Sequence, residues 1–95
     1  MNIPKIELHI TADGAAPEVR AMLPGEYVIG RGAEADIRLD VPLLSRKHAR
    51  LTVRENDGVI EDLGSSNGTL LDGQPVTRAT VLRSGQSIEI GRAHV

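Results

Sequence analysis

Apolar and polar residues alternate with a period of two along much of this chain. In Ile6–Glu7–Leu8–His9–Ile10 the aliphatic side chains face one way and the polar ones the other, the mark of a strand with one buried and one wet face. Ala49–Arg50–Leu51–Thr52–Val53–Arg54 and Ile88–Glu89–Ile90 repeat the pattern. Glu26–Tyr27–Val28–Ile29 is a further short strand, rich in β-formers, that runs out at Gly30. Turn signals separate these runs: Asp13–Gly14, Pro24–Gly25, Asp57–Gly58, Asn67–Gly68, Asp72–Gly73 and Ser84–Gly85. Asn-Gly and Asp-Gly tolerate the positive φ that tight turns need. The best helix candidate, Ala15–Leu23, has Pro17 inside it. Many short strands joined by such turns predict an all-β sandwich.

Composition narrows the function. The 95 residues suffice for one domain, expected to span 1–95. Tyr27 is the sole aromatic residue, so base stacking of the kind single-strand nucleic-acid binders use is excluded. The net charge is −2, and no global field draws the chain to nucleic acid or to an acidic membrane. Between Ser45 and Arg54, however, Arg46, Lys47, Arg50 and Arg54 occur with no acid. That local basic patch suits a small anionic ligand better than a polyanion. Cysteine is absent, which rules out disulfides and Cys-based zinc sites. His9, His48 and His94 lack metal-ligand spacing, so no metal or other cofactor is expected. The start, Met1–Asn2–Ile3–Pro4–Lys5, lacks the apolar run of a signal peptide, and no segment reaches membrane-spanning length. A cytoplasmic domain is expected, and the sequon Asn67–Gly68–Thr69 is set aside on that ground.

Three loops hold the informative residues. Gly30–Arg31–Gly32 follows a strand, Ser45–Arg46–Lys47–His48 precedes one, and Gly64–Ser65–Ser66–Asn67–Gly68–Thr69 lies between two short ones. Loops at one end of a sandwich can converge. Arg31 and Arg46 would bring permanent charge and planar donor forks, and Ser45 and Ser66 hydroxyl donors. Such groups suit a phosphate dianion. Asn67 adds a donor and an acceptor able to hold an extended peptide backbone.

In order and spacing, Gly30–Arg31, Ser45–Arg46–Lys47–His48 and Ser66–Asn67–Gly68–Thr69 resemble the signature of the forkhead-associated (FHA) domain. Asp36–Ile37–Arg38–Leu39, Leu82, Gly85, Ile88 and Gly91 support the match, which runs from about Tyr27 to Gly91. The resemblance implies an FHA-like (SMAD/FHA-type) β-sandwich of about eleven short strands. It also implies a module that binds phosphothreonine in a partner protein, or in its own parent chain, after a Ser/Thr kinase has acted. Carried over by position, Arg31 and Ser45 would bind the phosphate and Arg46 would add a basic contact. Ser66 and Asn67 would lie beside the ligand, with Asn67 on the peptide main chain. Gly30, His48 and Gly68 would shape the loops. The family has a strand after the Ile88–Gly91 segment, for which only Arg92–Val95 remain, so a domain excised from a longer protein is expected.

Other readings compete. Arg31 alone could be a surface arginine paired with Glu34 or Asp36, Ser45 a residue that merely opens a strand, and Arg46 part of a solvated basic face. Ser45, His48 and Asp62 supply the residue types of a catalytic triad, but there is no Gly-x-Ser-x-Gly elbow and no evident oxyanion hole. No catalytic residue is assigned, and His48 reads as a hydrogen-bonded anchor. Gly30–Arg31–Gly32 is not a P-loop, since no Gly-Lys-Ser/Thr follows. Leu43 and Leu44 are candidates for lining the peptide surface. The rival function is a phosphate-independent interaction module that uses a sheet face.

Overall fold

A computed structural model of the chain describes residues 6–12 and 16–90. These form ten strands and no helix: β1 (Ile6–Ala12), β2 (Glu18–Met22), β3 (Gly25–Gly30), β4 (Ile37–Arg38), β5 (Ala49–Val53), β6 (Gly58–Asp62), β7 (Thr69–Leu71), β8 (Gln74–Pro75), β9 (Thr80–Leu82) and β10 (Ser87–Ile90). They build two five-stranded sheets in the orders β2-β1-β10-β7-β8 and β4-β3-β5-β6-β9. The turn at Asp13–Gly14, Gly91, His94 and the strand expected over Arg92–Val95 lie outside the described residues.

The inward positions of the alternating runs meet between the sheets. Leu8 and Ile88 from one sheet, and Ile29, Leu51, Ile60 and Leu82 from the other, are completely buried. Burying one such side chain contributes roughly 1.5–3 kcal/mol, so this aliphatic layer holds the fold without aromatic bulk. Tyr27 packs half-buried against the cluster and its hydroxyl donates to the Leu23 carbonyl at 2.7 Å. Between β7 and β8, Asp72 and Gly73 take positive φ of 47° and 81°, as a two-residue hairpin turn requires.

Ala15 of the helix candidate Ala15–Leu23 lies outside the described residues, and Glu18–Met22 of it form strand β2 instead, antiparallel to β1 with Ile6 opposite Met22 and Ile10 opposite Glu18. Glu18, Arg20, Ala21 and Met22 are good helix formers. Pro17 blocks a helix there, and the ladder with β1 satisfies the backbone instead. β1 also runs parallel to β10, from His9 opposite Ser87 to Ala12 opposite Ile90.

Register explains why loops gather at one end. Ile29 of β3 is opposite Ala49 of β5, and Ala49 is opposite Asp62 of β6. β3 and β6 therefore finish, and β5 begins, in one row across the sheet. The segments after Gly30, before Ala49 and after Asp62 must leave from the same edge of the sandwich.

Candidate functional site

The first two loops are knitted together by backbone. The N–H of Arg31 donates to Ser45 O and that of Gly32 to Arg46 O, both at 3.1 Å, and His48 N–H donates to Ile29 O at 2.8 Å. Gly30 is what lets them approach. A Cβ built there would lie 2.1 Å from the carbonyl oxygen of Arg46 and 3.0 Å from that of Ser45. Arg31 then turns its Nε–H to the Leu44 carbonyl at 3.0 Å, and its two Nη groups keep their donors.

Neither Arg31 nor Arg46 is ion-paired among the described residues. Glu34 is engaged by Lys47 at 3.2 Å, and the Asp36 carboxylate accepts Val28 N–H at 2.8 Å. Arg31 is thus not the paired surface arginine that its neighbours allowed. The basic patch read between Ser45 and Arg54 is corrected, because the fold brings acids to it. Arg50 meets Glu26 and Glu61, and Arg54 meets Asp57. What remains unpaired of that run is Arg46, beside Arg31.

The third loop is pinned to the second. Ser66 N–H donates to Ser45 Oγ at 3.2 Å, so the Ser45 oxygen is used as an acceptor and its own O–H stays free to donate. Asn67 Nδ2 donates to the Leu43 carbonyl at 2.7 Å, leaving Oδ1 and a second N–H. His48 is fully buried. Its Nδ1 accepts Ser45 N–H at 3.1 Å while its Nε2 lies 2.7 Å from Gly68 O. These partners assign the proton to Nε2. Gly68 has φ +80°, which lets its carbonyl turn toward that ring.

Asp62 organises the rest of the third loop. Its carboxylate accepts the hydroxyls of Ser65 and Thr69 and the Ser65 N–H, and Ser65 Oγ in turn accepts Gly68 N–H. Burial disfavours the charged Asp62, yet these donors outweigh it and hold the carboxyl below its ordinary value. Sequence reading missed Ser65 and Thr69 here and weighed Asp62 only as a triad member. The signal was present, since Asp followed closely by Ser is a side-chain-to-backbone turn pattern. The same geometry dismantles the triad. Both ring nitrogens of His48 face backbone groups, and the Asp62 oxygens hold Ser65 and Thr69.

Of the two leucines read as peptide-facing, Leu43 is exposed at the rim and Leu44 is not. Leu44 is 2% exposed, drawn into the core by the turn in which its N–H donates to Val41 O. Next to Arg31, an open cleft of about 640 Å³ is lined by Arg31, Gly32, Ala33, Glu34, Arg46 and Lys47.

The β-sandwich thus presents two guanidinium groups unpaired among the described residues, a free hydroxyl donor and a glycine-rich loop at one edge, donors suited to an anion. The FHA domain family matches residues 27–91, and the chain belongs to that family, a class that recognises phosphorylated motifs through arginine-bearing surfaces. It is similar to the FHA domain-containing protein FhaB of Mycobacterium tuberculosis, 36% identical over 87 residues, which cover 90% of this chain and 56% of that protein. The chain thus spans about half the length of that curated relative. Among solved structures it resembles the FHA domain of the CT664 protein from Chlamydia trachomatis, with TM-score 0.74 and 28% identity, covering 88% of this chain and 86% of that one. A structure from a study of phosphothreonine-dependent FHA domain interactions matches with TM-score 0.70 and 29% identity, over 87% and 92% of the two chains. The two-sheet architecture is that of these domains.

Proposed function

We propose that the chain binds phosphothreonine in an extended peptide, with the phosphate held by Arg31, Ser45 and Arg46 and the flanking backbone by Ser66 and Asn67. One observation carries this reading. Among the described residues, the Nη groups of Arg31 and the whole Arg46 guanidinium have no partner, and they stand at the edge where Ser45 keeps a hydroxyl hydrogen to donate. Charge-assisted bonds to a dianion are the strong use of such donors. Gly30, His48 and Gly68 shape the loops and touch no ligand. A Ser/Thr kinase would switch the contact on, because an unmodified threonine offers these cations no charge. The structural relative studied for phosphothreonine-dependent interactions supports the same chemistry.

The chain is a binding module, and on this reading it turns over no substrate, since the Ser45 hydroxyl meets no base: its Oγ accepts Ser66 N–H, while both His48 ring nitrogens face backbone groups. On the same reading it acts in the cytoplasm. The test is calorimetry with an oriented phosphothreonine peptide library and its unphosphorylated counterpart. Binding confined to the phosphorylated set is expected; equal binding of both sets would replace this reading with a phosphate-independent one.

A further inference from the structure

The cleft beside Arg31 is larger than one phosphate needs, and none of Ser45, Ser66 or Asn67 lines it. Its volume of about 640 Å³ lies in the range of pockets that take a drug-sized ligand. Arg31 and Arg46 are therefore shared between two surroundings, the hydroxyl and amide donors of the neighbouring loops and this cleft, and Lys47 is the cation in its wall that the phosphate does not use.

The Lys47 ammonium lies 3.2 Å from the Glu34 carboxylate, and the two side chains are 60% and 76% exposed. A pair so open contributes little, because water already solvates both charges. A second anion can take Glu34's place on Lys47 while Glu34 turns to solvent. The other paired cations of the basic run, Arg50 and Arg54, are less exchangeable. Arg50 is shared by two carboxylates, and Arg54 is held by two bonds to Asp57.

We propose that the cleft is a second anionic subsite, which takes a carboxylate or a second phosphate on a residue flanking the phosphothreonine. Lys47 is its cation and Glu34 the group displaced. The subsite rests on the phosphothreonine reading above and adds a preference to it. An extended peptide advances about 3.3 Å per residue, so a residue one or two positions from the phosphothreonine reaches the cleft. Lys47 thereby selects among phosphopeptides without being needed to bind them.

Calorimetry with three phosphothreonine peptides tests this, alike except for a flanking glutamine, glutamate or second phosphothreonine, each placed on either side. The wild-type chain should bind the glutamate peptide about 2- to 5-fold more tightly than the glutamine one, and the doubly phosphorylated peptide at least as tightly as the glutamate one. Lys47→Ala should erase these gains and leave the glutamine peptide within about 2-fold of wild type, while Glu34→Gln should widen them. A gain only with the second phosphate would assign the subsite to phosphate, and a gain with both to any anion. Equal affinity for all three peptides in the wild type would overturn the proposal. So would a Lys47→Ala variant that weakens all three alike, which a general field predicts. If the glutamine phosphopeptide bound no better than its unphosphorylated form, the phosphothreonine reading itself would fail, and the subsite with it.

Discussion

The α-carbon of Gly30 lies so close to the backbone of Arg46 that a methyl group on it would stand 2.1 Å from the Arg46 carbonyl oxygen. Real Cβ atoms do not approach backbone oxygen at that distance, and neither partner is a flexible side chain. The contact brings the arginine-bearing segment after β3 onto the Ser45–Arg46 segment, where Arg31 N–H and Gly32 N–H then bond.

Gly30→Ala should therefore force the two loops apart. Overpacking of this kind costs typically 1–3 kcal/mol, and a backbone-to-backbone clash belongs at the upper end. Urea unfolding should show a loss of about 2–3 kcal/mol, together with lost phosphopeptide binding below the transition. Gly64→Ala is the control, since a Cβ there meets nothing within 4 Å and only the positive φ of 74° is strained.

Removing the His48 ring unties two loops at once. His48→Phe keeps the ring volume but leaves Ser45 N–H and Gly68 O, both part-buried, facing an apolar ring without their partners. Each orphaned group costs about 1–3 kcal/mol, so a drop of roughly 2–4 kcal/mol in unfolding free energy is expected. Stability within 0.5 kcal/mol of wild type, roughly the scatter of neutral surface changes, would remove His48 from this role.

Asp62 makes stability depend on acid. Desolvation opposes its charge, but the Ser65 and Thr69 donors hold its folded-state value below the unfolded one. Its contribution is then complete above the unfolded value of about 3.9 and is lost as pH falls through the folded value. Asp72, lowered by the Ser87 N–H and the Gln86 amide, carries the same sign. Thermal melts between pH 5 and 2.5, about the range where carboxylates protonate, should fall steeply for the wild type. The slope should be shallower, though not flat, for Asp62→Asn. An unchanged slope would mean the carboxylate is not held as the hydrogen bonds indicate.

Much of this was legible in the sequence because loops advertise themselves. Glycine, serine and asparagine at strand ends mark Gly30, Ser45, Ser66 and Asn67, and period-two runs mark β1, β5 and β10. What was not legible depends on distant pairing. β2 carries helix formers and becomes a strand only because β1 presents it a ladder. β4 and β8 are two residues each, too short for any periodicity to show. The neutralisation of Arg50 and Arg54 needs acids from other strands or a turn, and the inward turn of Leu44 needs its bond to Val41. No local pattern distinguishes Leu44 from Leu43.

Ser45→Ala removes the free hydroxyl donor and the acceptor for Ser66 N–H, at a site exposed enough for water to replace the latter. Hydrogen bonds to charged groups are worth about 1.5–3 kcal/mol. Affinity for a phosphothreonine peptide should drop roughly 10- to 150-fold, with the melting temperature nearly unchanged. A variant that binds like wild type would leave the phosphate to the arginines alone.

The most direct measurement is titration calorimetry of Arg31→Ala with a phosphothreonine peptide, alongside its circular dichroism melt. Losing one partner of a desolvated charge pair costs about 2–5 kcal/mol, so affinity should fall at least about 30-fold while the melt stays that of a folded domain. A folded variant that keeps wild-type affinity would show that the unpaired guanidinium beside Ser45 does not hold the phosphate.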